Sequence, residues 1–213
     1  MLEESSKPVR WARRKESRPG ELLAAALDSF VEFGFAVTRL EDVAAKAGVS
    51  KGTLYLYFKN KEELFKAVLK ESILPLIEEF ADEAKTSTLT NDDLIRYFFR
   101  QWWLRFGNTK LSGICKLMTA EAGNFPELAM FFQQEVIERN NQLLLSLVRK
   151  GVAEGDYESK NYEIAVHIWM APMVLHTIWS NSIGKCVPSL TIPDEEYIAM
   201  HAEFVLATLK TKT

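Results

Sequence analysis

Apolar residues recur every three or four positions through most of the chain, the spacing that places them on one face of an α-helix. The clearest example is the set Leu40, Val43, Ala44 and Ala47. No segment alternates apolar and polar residues convincingly in the manner of a β-strand. The pattern therefore predicts an all-α fold of about nine helices. The predicted helices cover residues 19–33, 40–47, 51–58, 61–80, 91–106, 114–122, 126–154, 161–182 and 194–209.

The segment that follows the first helix carries the start and stop signals of further short helices. Thr38 and Glu41 fit a capping box at the start of a helix. Gly48 can adopt the left-handed backbone conformation that ends this helix, and Ser50 can cap the next one. Another capping box begins at Asn60. This order is that of a helix-turn-helix reader of DNA; the alternative is a plain helical hairpin with solvated polar residues.

The helix predicted over residues 51–58 would expose side chains suited to a major groove. Leu54 and Phe58 are one turn apart and would face inward. Gly52 would let the backbone approach DNA closely, and Thr53 could bond to a base edge or contact a thymine methyl. Contacts to sugars, methyl groups and phosphates are expected from Ser50, Tyr55, Tyr57 and Lys61.

Residues 24–69 resemble the N-terminal domain of the tetracycline-repressor (TetR) family of bacterial transcription regulators. The matching segments are AALDSFVEFGF, TRLEDVAAKAGVSKGTLY and YFKNKEELF. The resemblance implies an all-helical homodimer with an N-terminal three-helix helix-turn-helix DNA-binding domain and a C-terminal helical ligand-binding and dimerisation domain. In this family pattern the third helix reads an operator, and a small ligand in the C-terminal domain releases the DNA.

The resemblance also implies which residues contact DNA. The implied positions are Thr38, Ser50, Lys51, Gly52, Thr53, Tyr55, Tyr57 and Lys61. The family often has Ser or Thr just after Thr38, where this chain has Arg39 and Leu40. Arg39 could replace a hydroxyl–phosphate bond with a charge contact, so Arg39 joins the predicted DNA-binding set.

Charge is divided unevenly along the chain. Residues 1–61 hold 11 Lys and Arg against 8 Asp and Glu, a net charge of +3, and the remaining residues have a net charge of −6. Six basic residues precede the first core helix: Lys7, Arg10, Arg13, Arg14, Lys15 and Arg18. They could neutralise phosphates or enter a minor groove, or form a solvated tail. We predict a basic flexible arm (1–17), a DNA-binding domain (18–64) and an effector-binding and dimerisation domain (65–213).

Large, soft side chains are concentrated in the C-terminal domain, where they could form a core or the wall of a cavity for a lipophilic or aromatic ligand. The candidate ligand contacts are Trp102, Trp103, Phe106, Met118, Phe132, His167, Met170, Met173 and His176. Arg105 and Gln133 could add polar contacts. Helix 161–182 is apolar on all faces and must be covered on all faces. With the last helix it would form a four-helix dimer interface, for which the candidates are Trp169, Ile198, Ala202, Val205 and Leu209.

Proline and cysteine residues add three expectations. Pro75 should kink the helix over residues 61–80. Cys115 and Cys186 are far apart, lack metal-binding spacing, and are expected to be buried small apolar residues. Two isolated cysteines, a polar N-terminus and no apolar run of membrane-spanning length predict a cytoplasmic protein.

The sequence argues against an enzyme. His167 and His176 would point to opposite faces of their helix and could not share a metal ion. No nucleophile motif, phosphate loop or paired cysteine motif is present, so no cofactor and no metal is expected. The predicted function is a ligand-responsive transcriptional regulator, a repressor that binds a near-palindromic double-stranded operator as a homodimer and is released by a small lipophilic or aromatic effector. The alternatives are an architectural DNA-binding protein without a ligand, and a helical enzyme.

Overall fold

The structure, a computed structural model, describes residues 9–187 and 192–210, with the backbone alone over residues 9–18. All regular elements in these ranges are helical, which confirms the all-α prediction. The α-helices are α1 (Val9–Phe33), α2 (Leu40–Lys46), α3 (Lys51–Tyr57), α4 (Lys61–Ser72), α5 (Leu74–Thr86), α6 (Asn91–Trp102), α7 (Gly113–Glu121), α8 (Pro126–Phe132), α9 (Glu138–Glu154), α10 (Glu163–Ser180) and α11 (Asp194–Leu209). Two π-helical turns, at Trp103–Gly107 and Gln133–Ile137, extend α6 and join α8 to α9.

The chain divides into two compact units, the first ending at Val68 and the second beginning at Leu69. The sequence placed this boundary after residue 64. The boundary falls inside α4, where the apolar stripe of the helix continues without a change in composition. For this reason the spacing of apolar residues does not mark it.

The first unit has a core built around three phenylalanine rings. The centroids of Phe30, Phe35 and Phe65 lie 5.4–5.5 Å apart. Leu22 of α1 and Leu54 of α3 are fully buried as well. Edge-to-face and tilted ring contacts of this kind add specific geometry to burial, so the core fixes the helices that carry the helix-turn-helix.

Helix α1 begins earlier than the sequence indicated. Its backbone is helical from Val9, whereas the sequence placed the start near Pro19 and a flexible arm over residues 1–17. The charged residues before Pro19 are good helix formers, which helps to explain the longer helix. Of the basic cluster, Lys7 lies outside the described residues, and the other five members lie on the stretch described by backbone alone.

Pro75 ends one helix and starts another. The kinked helix predicted over residues 61–80 is two helices, α4 and α5, with Pro75 as the second residue of α5. A proline disfavours helical backbone in the residue before it, and its missing N–H is tolerated in a first turn. These two effects produce a break where the sequence predicted a bend.

The second unit buries one large core between α6, α9, α10 and α11. Its most buried members are Ile95, Phe99, Leu144, Val148, Val166, Met173, Val205 and Leu209. Within the described ranges, no helix combines the length and the apolarity that a membrane span requires.

Candidate DNA-binding interface and effector cavity

Helices α2 and α3 are joined by a tight turn at Gly48. Gly48 has a φ of +65°, the left-handed conformation that the sequence predicted. The N–H of Val49 bonds to the carbonyl oxygen of Ala44 at 2.9 Å, which closes the end of α2. Val43 and Ala44 of α2 are buried. The turn therefore holds α3 at an angle to α2, and the predicted helix-turn-helix is present.

Ser50 caps α3 as predicted, and it also holds Thr53. The Ser50 hydroxyl oxygen accepts a bond from the Thr53 N–H at 3.1 Å. The two hydroxyl oxygens lie 2.9 Å apart. A capped helix start presents its remaining N–H groups to an anion. The first turn of α3 is thus suited to a phosphate, with the Thr53 side chain fixed beside it.

The outer face of α3 is formed by residues one turn apart. Gly52 and Leu56 are both exposed, and a Cβ built on Gly52 would meet only the Ser50 hydroxyl, at 3.8 Å. Leu56 is 85% exposed, an unusual position for leucine. Tyr55 and Tyr57 are also exposed, as predicted. This face offers an apolar side chain and a bare backbone side by side.

Lys51, at the start of α3, is not a free cation. Its ammonium pairs with the Glu41 carboxylate of α2 and lies 5.6 Å from the centroid of the Tyr55 ring. Hydrogen bonding within the ion pair raises the pKa of Lys51 and lowers that of Glu41. A DNA phosphate would therefore compete with Glu41 for the Lys51 ammonium.

The predicted capping box at Thr38 is absent. Helix α2 begins at Leu40 with Arg39 in the capping position, and no side chain caps it. Thr38 is buried, and its hydroxyl donates to the carbonyl oxygens of Gly34 (2.6 Å) and Ser29 (3.2 Å). The Thr38 hydroxyl proton is thus used within the chain, by carbonyl oxygens near the end of α1. Thr38 therefore belongs to the packing of the first unit, and the exposed Arg39 remains the candidate DNA contact at this corner.

The ammonium of Lys61, which the sequence predicts to contact a phosphate, is bonded within the first unit. Its ammonium donates to the carbonyl oxygens of Phe35 and Ala36 at 2.6 and 2.9 Å. Asn60 caps α4 as predicted, because its side-chain oxygen accepts from the Glu63 N–H at 2.7 Å. The predicted return bond differs: the Glu63 carboxylate accepts from the Lys59 N–H at 3.0 Å, whereas a capping box uses the N–H of the capping residue itself. Lys61 therefore stabilises the turn between α1 and α2.

A cavity of about 340 Å³ lies inside the second unit, within the usual size range of small-molecule sites. Its wall is mainly apolar and comes from α5 to α10. The apolar members are Ile73, Leu76, Ile77, Phe80, Phe98, Trp102, Phe106, Cys115, Met118, Ala122, Ala129, Phe132, Val136, Ile137, Leu143, Met170 and Val174. Burial raises the pKa of the Cys115 thiol to about 12, so it is a neutral part of this wall.

Both π-helical turns of the second unit contribute to the cavity wall. The first turn supplies Arg105 and Phe106, and the second supplies Gln133, Val136 and Ile137. Such turns occur mostly as single interruptions of α-helices, frequently at functional sites. Their position here favours the cavity as a binding site over a packing defect.

Five of the nine predicted ligand contacts line this cavity: Trp102, Phe106, Met118, Phe132 and Met170. Four do not. Trp103 and Met173 are part of the core. His176 is buried against the Tyr197 ring and bonds to Asp194 at 2.9 Å. His167 is exposed and its Nδ1 lies 3.2 Å from the Asn141 amide nitrogen.

For Met173 and His176 the reason is that large side chains on a helix that is apolar all round look alike in sequence, whether they face a core or a cavity. Trp103 lies instead at the start of the first π-helical turn, next to the cavity-lining Trp102. Of the suggested polar contacts, Arg105 and Gln133 do line the cavity, and Gln101, Asn140 and Asn141 join them. Cys186, expected to be buried, is exposed.

Known proteins match this chain both within the first unit and over a longer stretch. The family model for bacterial regulatory proteins of the tetR family matches residues 22–68. An uncharacterised helix-turn-helix transcriptional regulator of Bacillus subtilis, YhgD, is 34% identical over 135 residues, which are 63% of this chain and 66% of that protein. The match extends well beyond the helix-turn-helix. This chain belongs to the TetR family of transcriptional regulators.

Three further comparisons cover most of this TetR-family chain. The fatty acid metabolism regulator protein of B. subtilis is 26% identical over 144 residues, 67% of this chain and 73% of that protein. The structure of B. subtilis FadR in complex with stearoyl-CoA has a TM-score of 0.67 at 19% identity, covering 88% of this chain and 95% of that chain. FadR from Bacillus halodurans has a TM-score of 0.74 at 18% identity, covering 95% and 97%. These structures show a shared TetR-family fold.

The predicted dimer interface of this TetR-family protein lies in the wrong place. Trp169, Ile198, Ala202, Val205 and Leu209 are all buried in the core of the single chain. The exposed apolar residues of the same two helices are their neighbours: Ile164, Ile168 and Leu175 on α10, and Met200 and Phe204 on α11. Both helices are apolar on more than one side, so the sequence alone did not show which stripe faces inward.

Leu56 is the residue of the TetR-family reading helix that the sequence analysis missed. Spacing could have found it, because Leu54 and Phe58 face inward and Leu56 lies between them on the opposite side. No comparable spacing in the sequence distinguishes the exposed apolar residues of α10 and α11 from the buried ones. Only the packing of the second unit separates the two sets.

Proposed function

We propose that this TetR-family protein is a homodimeric, effector-responsive repressor that acts in the cytoplasm on a near-palindromic operator. The observation that carries the proposal is the pairing of an exposed, capped reading helix in one unit with an apolar cavity in the other. An architectural DNA-binding protein would need no such cavity.

The DNA-reading part of the proposal assigns roles along α3. Gly52, Thr53 and Leu56 would face base edges and thymine methyls. Ser50, Lys51 and Tyr57 would bind phosphates, and Tyr55 would pack on sugar or methyl groups. A homodimer would place two such helices in successive major grooves, about 34–36 Å apart.

The homodimer is supported by the apolar stripe on α10 and α11. Ile168 and Leu175 are 65% and 66% exposed, and Phe204 is 67% exposed. The two helices are adjacent, because the Tyr197 hydroxyl donates to the Pro172 carbonyl oxygen at 3.1 Å. Contiguous exposed apolar surface of this kind usually marks an interface, and a two-fold dimer would bury the stripe against its own copy.

The effector is proposed to be lipophilic, because the cavity wall is largely aromatic, aliphatic and methionine. Flexible methionines such as Met118 and Met170 adapt to varied apolar shapes. The related fatty acid regulator and the stearoyl-CoA complex make acyl compounds the first class to test. The effector would release DNA only by binding more tightly to a form whose reading helices are wrongly spaced.

The test is binding of the purified protein to the DNA upstream of its own gene, followed by fluorescence anisotropy across a salt series. Specific binding, with an affinity that falls steeply with salt and exceeds that for a scrambled duplex, is expected. Stearoyl-CoA and other lipophilic compounds are then added to the complex, and release by at least one is expected. Equal, weak binding to both duplexes would contradict the operator-binding part of the proposal.

A further inference from the structure

Every residue that lines the cavity belongs to the described part of the chain, and among these residues only Arg105 is charged. Its guanidinium is held in place by two neighbours. Nε donates to the Gln101 side-chain oxygen at 3.0 Å. Nη2 donates to both carboxylate oxygens of Glu83, at 2.8 and 3.1 Å. The side chain is therefore fixed at the wall before any ligand arrives.

The other terminal nitrogen of Arg105, Nη1, is left without a partner. It is buried and has no hydrogen-bond acceptor among the residues that the structure describes. A buried donor on a charged group costs free energy unless an acceptor reaches it. Nε2 of His201 is buried and unpaired too, but His201 does not line the cavity. Arg105 thus combines a buried N–H donor that lacks an acceptor with a position in the cavity wall.

Glu83 pairs with Arg105 without itself lining the cavity. Its hydrogen bond raises the pKa of Arg105 above the ordinary value. Glu83 also accepts a bond from the Tyr97 hydroxyl at 3.2 Å, which holds the carboxylate in place outside the cavity wall. A ligand in the cavity would therefore meet the cation directly and the counter-charge only behind it.

We infer that the effector is an amphiphile whose carboxylate or acyl carbonyl oxygen accepts a hydrogen bond from Nη1 of Arg105, with its apolar chain along the aromatic and methionine wall. This inference rests on the proposed function and adds the chemical class of the effector. A hydrogen bond between a cation and an anion is roughly twice as strong as one between neutral groups. An alkylamine, in contrast, would place a second cation beside Arg105.

The experiment compares ligands of one chain length by isothermal titration calorimetry of the full protein. Decanoate is expected to bind on the order of tenfold or more tightly than decanol, and decylamine is expected to bind more weakly than both. Decanoyl-CoA, as a fourth ligand, separates an acyl thioester from a free acid. Tighter binding of either acyl compound than of decanol supports the inference.

Two variants assign the preference to Arg105. Arg105→Gln should remove the advantage of decanoate over decanol while leaving decanol binding within about twofold. The matched control is Arg96→Gln, which removes an arginine paired with Glu203 and Asp93 outside the cavity. That control should keep the preference.

Glu83→Gln gives an independent test that retains Arg105. It removes the negative charge beside the guanidinium, while the neutral amide oxygen can still accept from Nη2 and hold Arg105 in place. Decanoate should therefore bind severalfold more tightly, with decanol unchanged. If Arg105→Gln does not fold, this variant still tests the inference. An unchanged or weakened decanoate affinity in Glu83→Gln would overturn it.

The outcomes separate the inference from the proposed function. Equal binding of decanoate, decanol and decylamine would leave a lipophilic effector site and overturn the role of Arg105. A decanoate preference that survives Arg105→Gln would overturn it as well. Absence of binding by all four ligands would contradict the cavity as a site for lipophilic effectors, and the inference would fail with it.

Discussion

The ammonium nitrogen of Lys61 lies 2.6 Å from the carbonyl oxygen of Phe35, and 4.6 Å from the centroid of the Phe35 ring. The first turn of α4 is thereby fastened to the turn between α1 and α2. Lysine at this place in a helix-turn-helix domain suggests a phosphate contact from sequence, because it stands at a helix start. In the folded domain its ammonium donates to the chain's own carbonyl groups.

Lys61→Met and Lys51→Met should therefore have opposite effects. Loss of the Lys61 bonds should lower the free energy of unfolding by roughly 1 kcal/mol or more and leave the salt dependence of DNA binding unchanged. Loss of Lys51 removes an exposed ion pair with Glu41 and an exposed contact with the Tyr55 ring, so stability should change little. In the Lys51→Met variant, the slope of log DNA affinity against log salt concentration should fall in magnitude by about 0.9. Thermal unfolding and anisotropy of both variants check this, and a reduced slope for Lys61→Met would return Lys61 to the phosphate contacts.

Gly52→Ala should raise stability and weaken DNA binding. Alanine is favoured over glycine inside a helix by about 0.5–1 kcal/mol. The added Cβ would meet only the Ser50 hydroxyl at an ordinary 3.8 Å. A backbone that approaches DNA closely has no room for this methyl group, so affinity for the operator should fall. Unchanged affinity together with a higher melting temperature would show that DNA does not approach α3 at Gly52.

A charge on the exposed stripe of α10 and α11 should break the dimer without unfolding the chain. Leu175→Arg or Phe204→Arg should shift the mass measured by sedimentation equilibrium towards the monomer, because a buried unpaired charge is costly. Leu104→Arg is the matched control, since Leu104 is 49% exposed and lies outside α10 and α11. A dimer that persists in both stripe variants would place the interface elsewhere.

Mild acid should destabilise the second unit through His201. Burial lowers the pKa of His201 below its ordinary value of 6.5, and the His201 ring packs edge-on against Phe99. The unfolded chain therefore binds a proton at higher pH than the folded chain. This contribution to stability is complete well above pH 6.5 and is lost as the pH falls from there towards the lower folded pKa.

The measurement is the melting temperature at about pH 7.5 and about pH 5.5. His201→Asn should show a smaller loss between the two than the wild-type chain. His167→Asn, at an exposed histidine, should retain the wild-type loss. An equal loss in wild type and His201→Asn would assign the acid sensitivity to other groups.

The helix-turn-helix could be predicted from sequence because its signals are local. Gly48 needs a positive φ, and Ser50 needs only the N–H three residues on. Thr38 shows the limit of such signals. Its spacing to Glu41 fits a capping box, yet Gly34 and Lys51 supply the two side chains with other partners. Competing partners from elsewhere in the fold do not appear in a local pattern.

The second unit was less predictable because its chemistry depends on packing. Trp102 lines the cavity, whereas the adjacent Trp103 is in the core. Ile198 is buried and Met200, two residues on, is exposed, although both fit an apolar stripe. The hydrophobicity of such a residue indicates that its side chain is shielded from water in the functional protein. It does not indicate whether the core, a ligand or a second copy of the chain shields it.

The most direct test of the central claim is a hydroxyl-radical footprint of the protein on the DNA upstream of its gene. Two reading helices in successive major grooves predict two protected regions, with centres about one helical turn apart, on a near-palindromic sequence. The protection should disappear when Arg39, just before α2, and Lys51, the first residue of the reading helix, are both replaced by Met. Uniform protection along the duplex, or a single protected region, would contradict a homodimeric operator-binding regulator.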